Sequence, residues 1–267
     1  VKRIVRWGVL VGIVIGVVGP LLPLLIWSFA QQWLFPNLWP QRWGVAAWEY
    51  VFSPSSRVAE ALGTSLGLAL LVTVLAALIG APAAWALAKY QFAGKRLIEW
   101  LILAPLIVPT LTVVMGLHIF FIRYGLADSW IGVALVHLIP ALPYFVLVMA
   151  GVFANYSVEI NEAARTLGAG TLRTIVYVML PLIAPGLVVA SLFTFLVSWS
   201  QYITTLLIGG GQVITLPLVL FPFISGANQA TAAALSLVFI APAILVIWIT
   251  STVLDSGTAA LGGFNRV

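Results

Sequence analysis

Apolar residues run along this chain in long blocks separated by short polar segments. Six blocks, at about 8–30, 64–88, 98–120, 131–154, 182–208 and 232–254, reach the length a membrane span needs. A helix rises about 1.5 Å per residue, so roughly 20 apolar residues cross a hydrocarbon core of about 30 Å. Lipid offers no partner for a free backbone amide, so each block is expected to be helical. The predicted fold class is therefore all-α and integral to the membrane, with six transmembrane helices. Pro20, Pro23, Pro82, Pro105, Pro109, Pro140, Pro143 and Pro242 fall inside the blocks and predict kinks. The first block follows Lys2, Arg3 and Arg6 but is longer than the apolar region of a signal peptide, so it reads as a retained helix.

The polar segments are too short for a soluble domain, and residues 1–267 read as a single membrane domain. Between the first two blocks, Gln31–Gly63 carries Trp33, Trp39, Trp43 and Trp48, rings that favour the headgroup level; an interfacial hairpin and short helix are expected there. The one substantial segment on the other side is a loop at about 155–181.

Composition sharpens this picture. The chain is 63% hydrophobic and 7% charged, where a soluble domain carries about 25% charged residues. It has no cysteine, which excludes disulfides, thiolate metal sites and cysteine nucleophiles. The net charge of +5 forms no basic face, so no nucleic-acid partner is expected. Placement of the cations gives the orientation instead. Lys2, Arg3, Arg6, Lys89, Lys95, Arg96, Arg165, Arg173 and Arg266 fall on one side, and only Arg42, Arg57 and Arg123 on the other. The positive-inside rule puts both termini in the cytoplasm.

The chain lacks the usual means of powering transport. Glu49, Glu60, Glu99, Asp128, Glu159, Glu162 and Asp255 all sit in predicted loops or at helix ends, which argues against a carboxylate proton relay. His118 and His137 lie within spans, where an isolated histidine is more often packed and hydrogen-bonded than a proton shuttle. Gly94, Lys95 and Arg96 resemble the end of a phosphate loop, but Lys89 occupies the place of its first glycine and Arg96 that of its Ser or Thr. No catalytic or metal-binding constellation is found. Energy for active transport must then come from a partner. The alternatives are a self-contained secondary carrier or channel, and an intramembrane enzyme.

The loop before the fifth block is where a partner would act. Acidic residues at its start and Gly168 and Gly170 at its end mark a short helix, with Asn155 or Ser157 as its possible cap and a second helix from about Thr171. Pro181 and Pro185 mark the start of span five. Glu162, Ala163, Ala164, Gly168, Leu180 and Pro181 carry a spacing that resembles the signature of permease subunits of binding-protein-dependent ABC importers, with Val178 where isoleucine is usual.

The resemblance covers roughly Trp48 to Thr250. Ala83–Ala88, Phe92, Gly94–Arg96, Pro105, Pro109 and Thr215–Pro217 resemble the spermidine/putrescine-type subgroup, whose relatives serve thiamine, ferric iron and other small solutes. It implies a type I importer permease in a bacterial or archaeal cytoplasmic (inner) membrane, one half of the pathway for a small polar or charged solute. Implied partners are two ATP-binding subunits holding ATP and Mg, a second and unlike permease subunit, an extracytoplasmic substrate-binding protein and membrane lipid. The chain itself would be non-catalytic and hold no cofactor. The Glu162–Gly168 helix would couple to the ATPase.

In span five, Ser191, Thr194, Ser198, Gln201, Tyr202 and Thr205 recur every three to four residues and form a stripe, read as lining the translocation pathway. Interhelical hydrogen bonding is the competing explanation. Polyamine permeases resembling this chain often carry acidic residues here; the sequence Ser198-Trp199-Ser200-Gln201-Tyr202 has none, which weakens polyamine as the solute.

Overall fold

The computed structural model describes residues 2–262 apart from Phe35 and Ala227. Arg266, counted above for orientation, lies outside the described residues. Among the described residues, five helical stretches are long and apolar enough to cross a membrane, or six where a bent pair is counted as one span. Helices α1 (Lys2–Val18) and α2 (Leu21–Ser28) form the first span across a break at Gly19–Pro20. A small antiparallel hairpin follows, β1 (Ala30–Gln32) with β2 (Arg42–Trp43), and then α3 (Ala46–Phe52) and a 3-10 turn at Pro54–Ser56. The hairpin and short helix are those expected from the tryptophan-rich segment. α4 (Val58–Lys89) starts several residues before the predicted second span.

The third predicted span is not one rod. Between α5 (Lys95–Ile107) and α6 (Thr110–Arg123) the chain bends by 105° from straight. Pro109 causes the break by clashing with a helical residue before it, and Val108 is accordingly extended at φ −79°, ψ 131°. Pro105, inside α5, makes no such break.

α7 (Trp130–Ala154) is the most buried span, with Phe145 and Met149 fully enclosed. α8 (Glu159–Thr166) lies in the loop, followed by α9 (Thr171–Thr174), a π-helical turn at Ile175–Met179 and α10 (Leu180–Trp199). The helix therefore runs on from Thr171 instead of starting at the prolines. Pro181 has no N–H for the carbonyl four residues back, and a wider π turn just ahead of it relieves the clash its ring would cause.

The fifth predicted span also breaks. α10 ends at Trp199, and α11 (Ile203–Gly209) is a separate short helix. α12 (Leu216–Ser225) and the long α13 (Gln229–Gly262) complete the chain.

Cα packing divides the chain into two compact units. One takes in the residues up to Gly63 with Thr215–Ala243; the other takes in Thr64–Ile214 with the residues from Ile244 onward. All candidate site residues belong to the second. Among the described residues its core includes one cluster around Leu68, Val114 and Ile208 and another around Phe145, Met149 and Phe153. α7 and α10 pack along their length, closely enough that Gly186 leaves no room for a Cβ against the side chain of Val152. Small residues at such crossings let membrane helices gain van der Waals contact.

Candidate functional site

The loop between α7 and α10 is anchored at its start. Lys89 Nζ, at the end of α4, donates to the carbonyl of Tyr156 at 2.6 Å, and the Tyr156 hydroxyl donates to Asn161 Oδ1 at 2.6 Å. The Tyr156 ring meets Trp85 edge-on at 6.0 Å. Burial holds the phenol above its ordinary pKa, so it remains a neutral donor. Tyr156→Phe removes that bond but keeps the ring. The expected cost is about 1 kcal/mol of stability, seen as a small drop in the thermal midpoint of the purified protein.

Neither Asn155 nor Ser157 caps α8. Asn155 ends α7 and bonds back to the Gly151 carbonyl, Ser157 reaches the Glu159 carboxylate at 3.4 Å, and Val158 occupies the cap position without a side-chain bond. Local alternatives within reach of each short polar side chain explain the difference. Glu159 and Glu162 in the first turn and Arg165 in the last do suit the helix dipole.

The end of α8 follows a Schellman motif. Gly168 is left-handed at φ +87°; its N–H bonds the Arg165 carbonyl at 2.9 Å, and the Ala169 N–H reaches the Ala164 carbonyl at 3.0 Å. That geometry accounts for glycine four residues after the Ala163-Ala164 pair. No residue of α8 is buried. Glu162, Ala163 and Pro181 are exposed and Ala164 half-buried. Leu180 is exposed too, and around α8 the apolar Leu167, Leu172 and Tyr177 are 89%, 74% and 76% exposed.

The polar stripe of span five is divided by the α10–α11 break. Thr194, Ser198 and Thr205 are buried. Thr194 bonds the Ala190 carbonyl, while Ser198 Oγ and Thr205 Oγ1 lie 3.0 and 2.8 Å from His137 Nδ1 and Nε2. In this conformation these three face protein. Ser191 lines a separate, largely apolar groove of about 310 Å³ with Thr73, Leu187 and Thr250.

Gln201 and Tyr202 are half-buried at the break itself. Gln201 and Ser200 border an open cleft of about 430 Å³ with Pro109 and Thr110 from the α5–α6 bend and Pro140 and Tyr144 from α7. Two broken helices thus meet at one cleft, and none of its lining residues is charged. Thr204 donates to Gln201 Oε1 at 2.9 Å and fixes the amide's orientation. Sequence reading missed Thr110, Tyr144 and Thr204. Pro105, Pro109 and Pro140 pointed to kinks there and Gln201 to a polar face, but a kink does not say what it faces.

Residues 76–262 match the model of the family described as binding-protein-dependent transport system inner membrane component. The chain belongs to this family. Among related permeases, the trehalose transport system permease of Mycobacterium tuberculosis is 33% identical over 171 residues, which is 64% of this chain and 62% of that protein. The chain therefore aligns with less than two thirds of that permease's length. The putrescine transport system permease of Escherichia coli K12 is 27% identical over 209 residues, 76% of this chain and 73% of its own. Identity is higher to the sugar permease, over a shorter stretch, than to the polyamine permease, so the matches include both the subgroup expected from sequence and a sugar-type one. The fold is that of a permease in a bacterial transporter importing the acidic polysaccharide alginate, with a TM-score of 0.69, 18% identity, and 94% of this chain and 95% of that one covered.

Proposed function

We propose that this permease is the transmembrane subunit of an ATP-driven importer and forms half the pathway for a small, neutral, hydroxyl-rich solute of the sugar class. The observation that carries the coupling half of this reading is α8: a helix with a glycine C-cap and no buried residue, ending at the exposed Leu167, on a segment that is not a membrane span. Such a surface suits a groove on another protein. The partners that fit are two ATP-binding subunits carrying ATP and Mg, a second, unlike permease chain and an extracytoplasmic binding protein. Both termini would then face the cytoplasm, with α8 on the same side.

The substrate half rests on the cleft. An amide, hydroxyls and the Tyr144 ring form the kind of lining that recognises a neutral polyol. A polyamine would need its charges compensated out of water, and no carboxylate borders the cleft. The higher identity to the trehalose permease supports the same reading.

Purifying the tagged chain in mild detergent from its native membrane tests the first half: an ATP-binding subunit is expected to co-purify, and its absence would leave the carrier or channel reading in its place. For the second half, the purified importer with its binding protein is assayed for ATPase stimulation. Trehalose or maltose is expected to stimulate; stimulation by putrescine alone would overturn the sugar assignment.

A further inference from the structure

His137 is 1% exposed and lies on α7 between two residues that flank the α10–α11 break: Ser198, before it, and Thr205, after it. The direction of the bonds follows from counting protons. Thr205 Oγ1 has one hydrogen and donates it to the Gln201 carbonyl at 3.2 Å. It must therefore accept from His137, so Nε2 carries the proton and Nδ1 accepts from the Ser198 hydroxyl. One imidazole holds both sides of the break, and the chain of bonds ends on the backbone of Gln201, a residue bordering the cleft.

No proline or glycine lies at Ser200–Tyr202 to enforce this break. Helices normally break at such residues or where a side chain intrudes on the ladder. Here Ser200 bonds the Val197 carbonyl and Thr205 that of Gln201, local alternatives that weaken the helix without choosing a geometry. A third group on a neighbouring helix can choose it.

We propose that His137 is a positioning residue: it clamps Ser198 to Thr205 and so sets the geometry of the break between α10 and α11 that brings Gln201 to the cleft. The clamp itself stands on the geometry above; its effect on transport rests on the proposed function.

The absence of native cysteine makes this testable with single thiols in the full chain expressed with its partners. Thr204→Cys puts a thiol on α11 and Ala190→Cys one on α10, both at fully buried positions. Each is combined with His137→Leu, which removes both bonds, and with His137→Gln, which keeps a donor and an acceptor. The purified complex is treated with a water-soluble methanethiosulfonate. In His137→Leu the thiol at position 204 is expected to react about tenfold faster, as follows when a buried hydrogen bond is lost. The thiol at 190 should stay protected, and His137→Gln should restore protection at 204.

Unchanged reactivity at 204 would overturn the clamp. So would equal deprotection at 190, which means general loosening. Trehalose- or maltose-stimulated ATPase, read separately, is expected to show a raised KM with kcat retained in His137→Leu and recovery in His137→Gln. Deprotection at 204 with KM unmoved supports the clamp and instead removes the cleft from the solute's route.

Discussion

Gly168→Asp is expected to leave the chain in the membrane while abolishing its association with an ATP-binding subunit. Gly168 is held at φ +87° by two hydrogen bonds to the last turn of α8, and only glycine adopts that region freely. A side chain there would meet no atom within 4 Å, so the damage is to the backbone and not to packing. Aspartate costs about 1 kcal/mol in conformation, and its charge at a helix C-terminus costs up to about 1 kcal/mol more. For a core that would be modest. α8 has no buried residue to hold it, so the same sum is enough to unwind its last turn. Co-purification from detergent-solubilised membranes reads the effect, with membrane content of the chain as the control. Full recovery of the ATP-binding subunit with the variant would show that α8 is not where it docks.

Gly186→Leu is expected to damage folding itself. The Cβ alone would overlap the Val152 side chain on the facing α7, and leucine adds three more carbons. Overpacking costs typically 1–3 kcal/mol where neighbours can shift. Neither helix can yield locally, because Phe145, Met149 and Phe153 on α7 are already enclosed and Ile183 and Ala190 on α10 pack into the same cluster. Little monodisperse protein should survive size-exclusion chromatography. Gly186→Ala should give an intermediate loss, since a methyl still overlaps Val152. Wild-type yield from Gly186→Leu would mean that the two helices separate more easily than their packing indicates.

What the sequence made legible follows from which physical signals are local. Hydropathy is a sum over a window, so every candidate span appears from it, the bent pair included. The hairpin and short helix at 30–52 were legible because four tryptophans and the polar residues among them interrupt an otherwise apolar chain. The Glu162–Gly168 motif was legible because a cap needs a particular residue at a particular spacing.

The breaks were harder. Pro109 announces a kink, but the 105° depends on where α6 finds its packing partners, which no local pattern contains. The break at Ser200–Tyr202 has no marker residue at all. Ser198 and Thr205 sit at helical spacing as if on one rod, and their relation to the break appears only once His137, some sixty residues earlier, is brought between them. The expected stripe is therefore split by the break, with Ser198 and Thr205 facing His137 on α7.

The bend between α5 and α6 also sets how the protein fits its bilayer. Two legs of 13 and 14 residues, turned 105° from straight, reach only about 25 Å end to end. A typical hydrocarbon core is about 30 Å thick, and hydrophobic mismatch costs fractions of a kcal/mol per Å. If the pair crosses as one span, lipid beside it has to thin, or polar headgroups must sink toward the bend. Acyl-chain length thereby becomes a mechanical load on α5 and α6, and a thinner bilayer favours the bent shape.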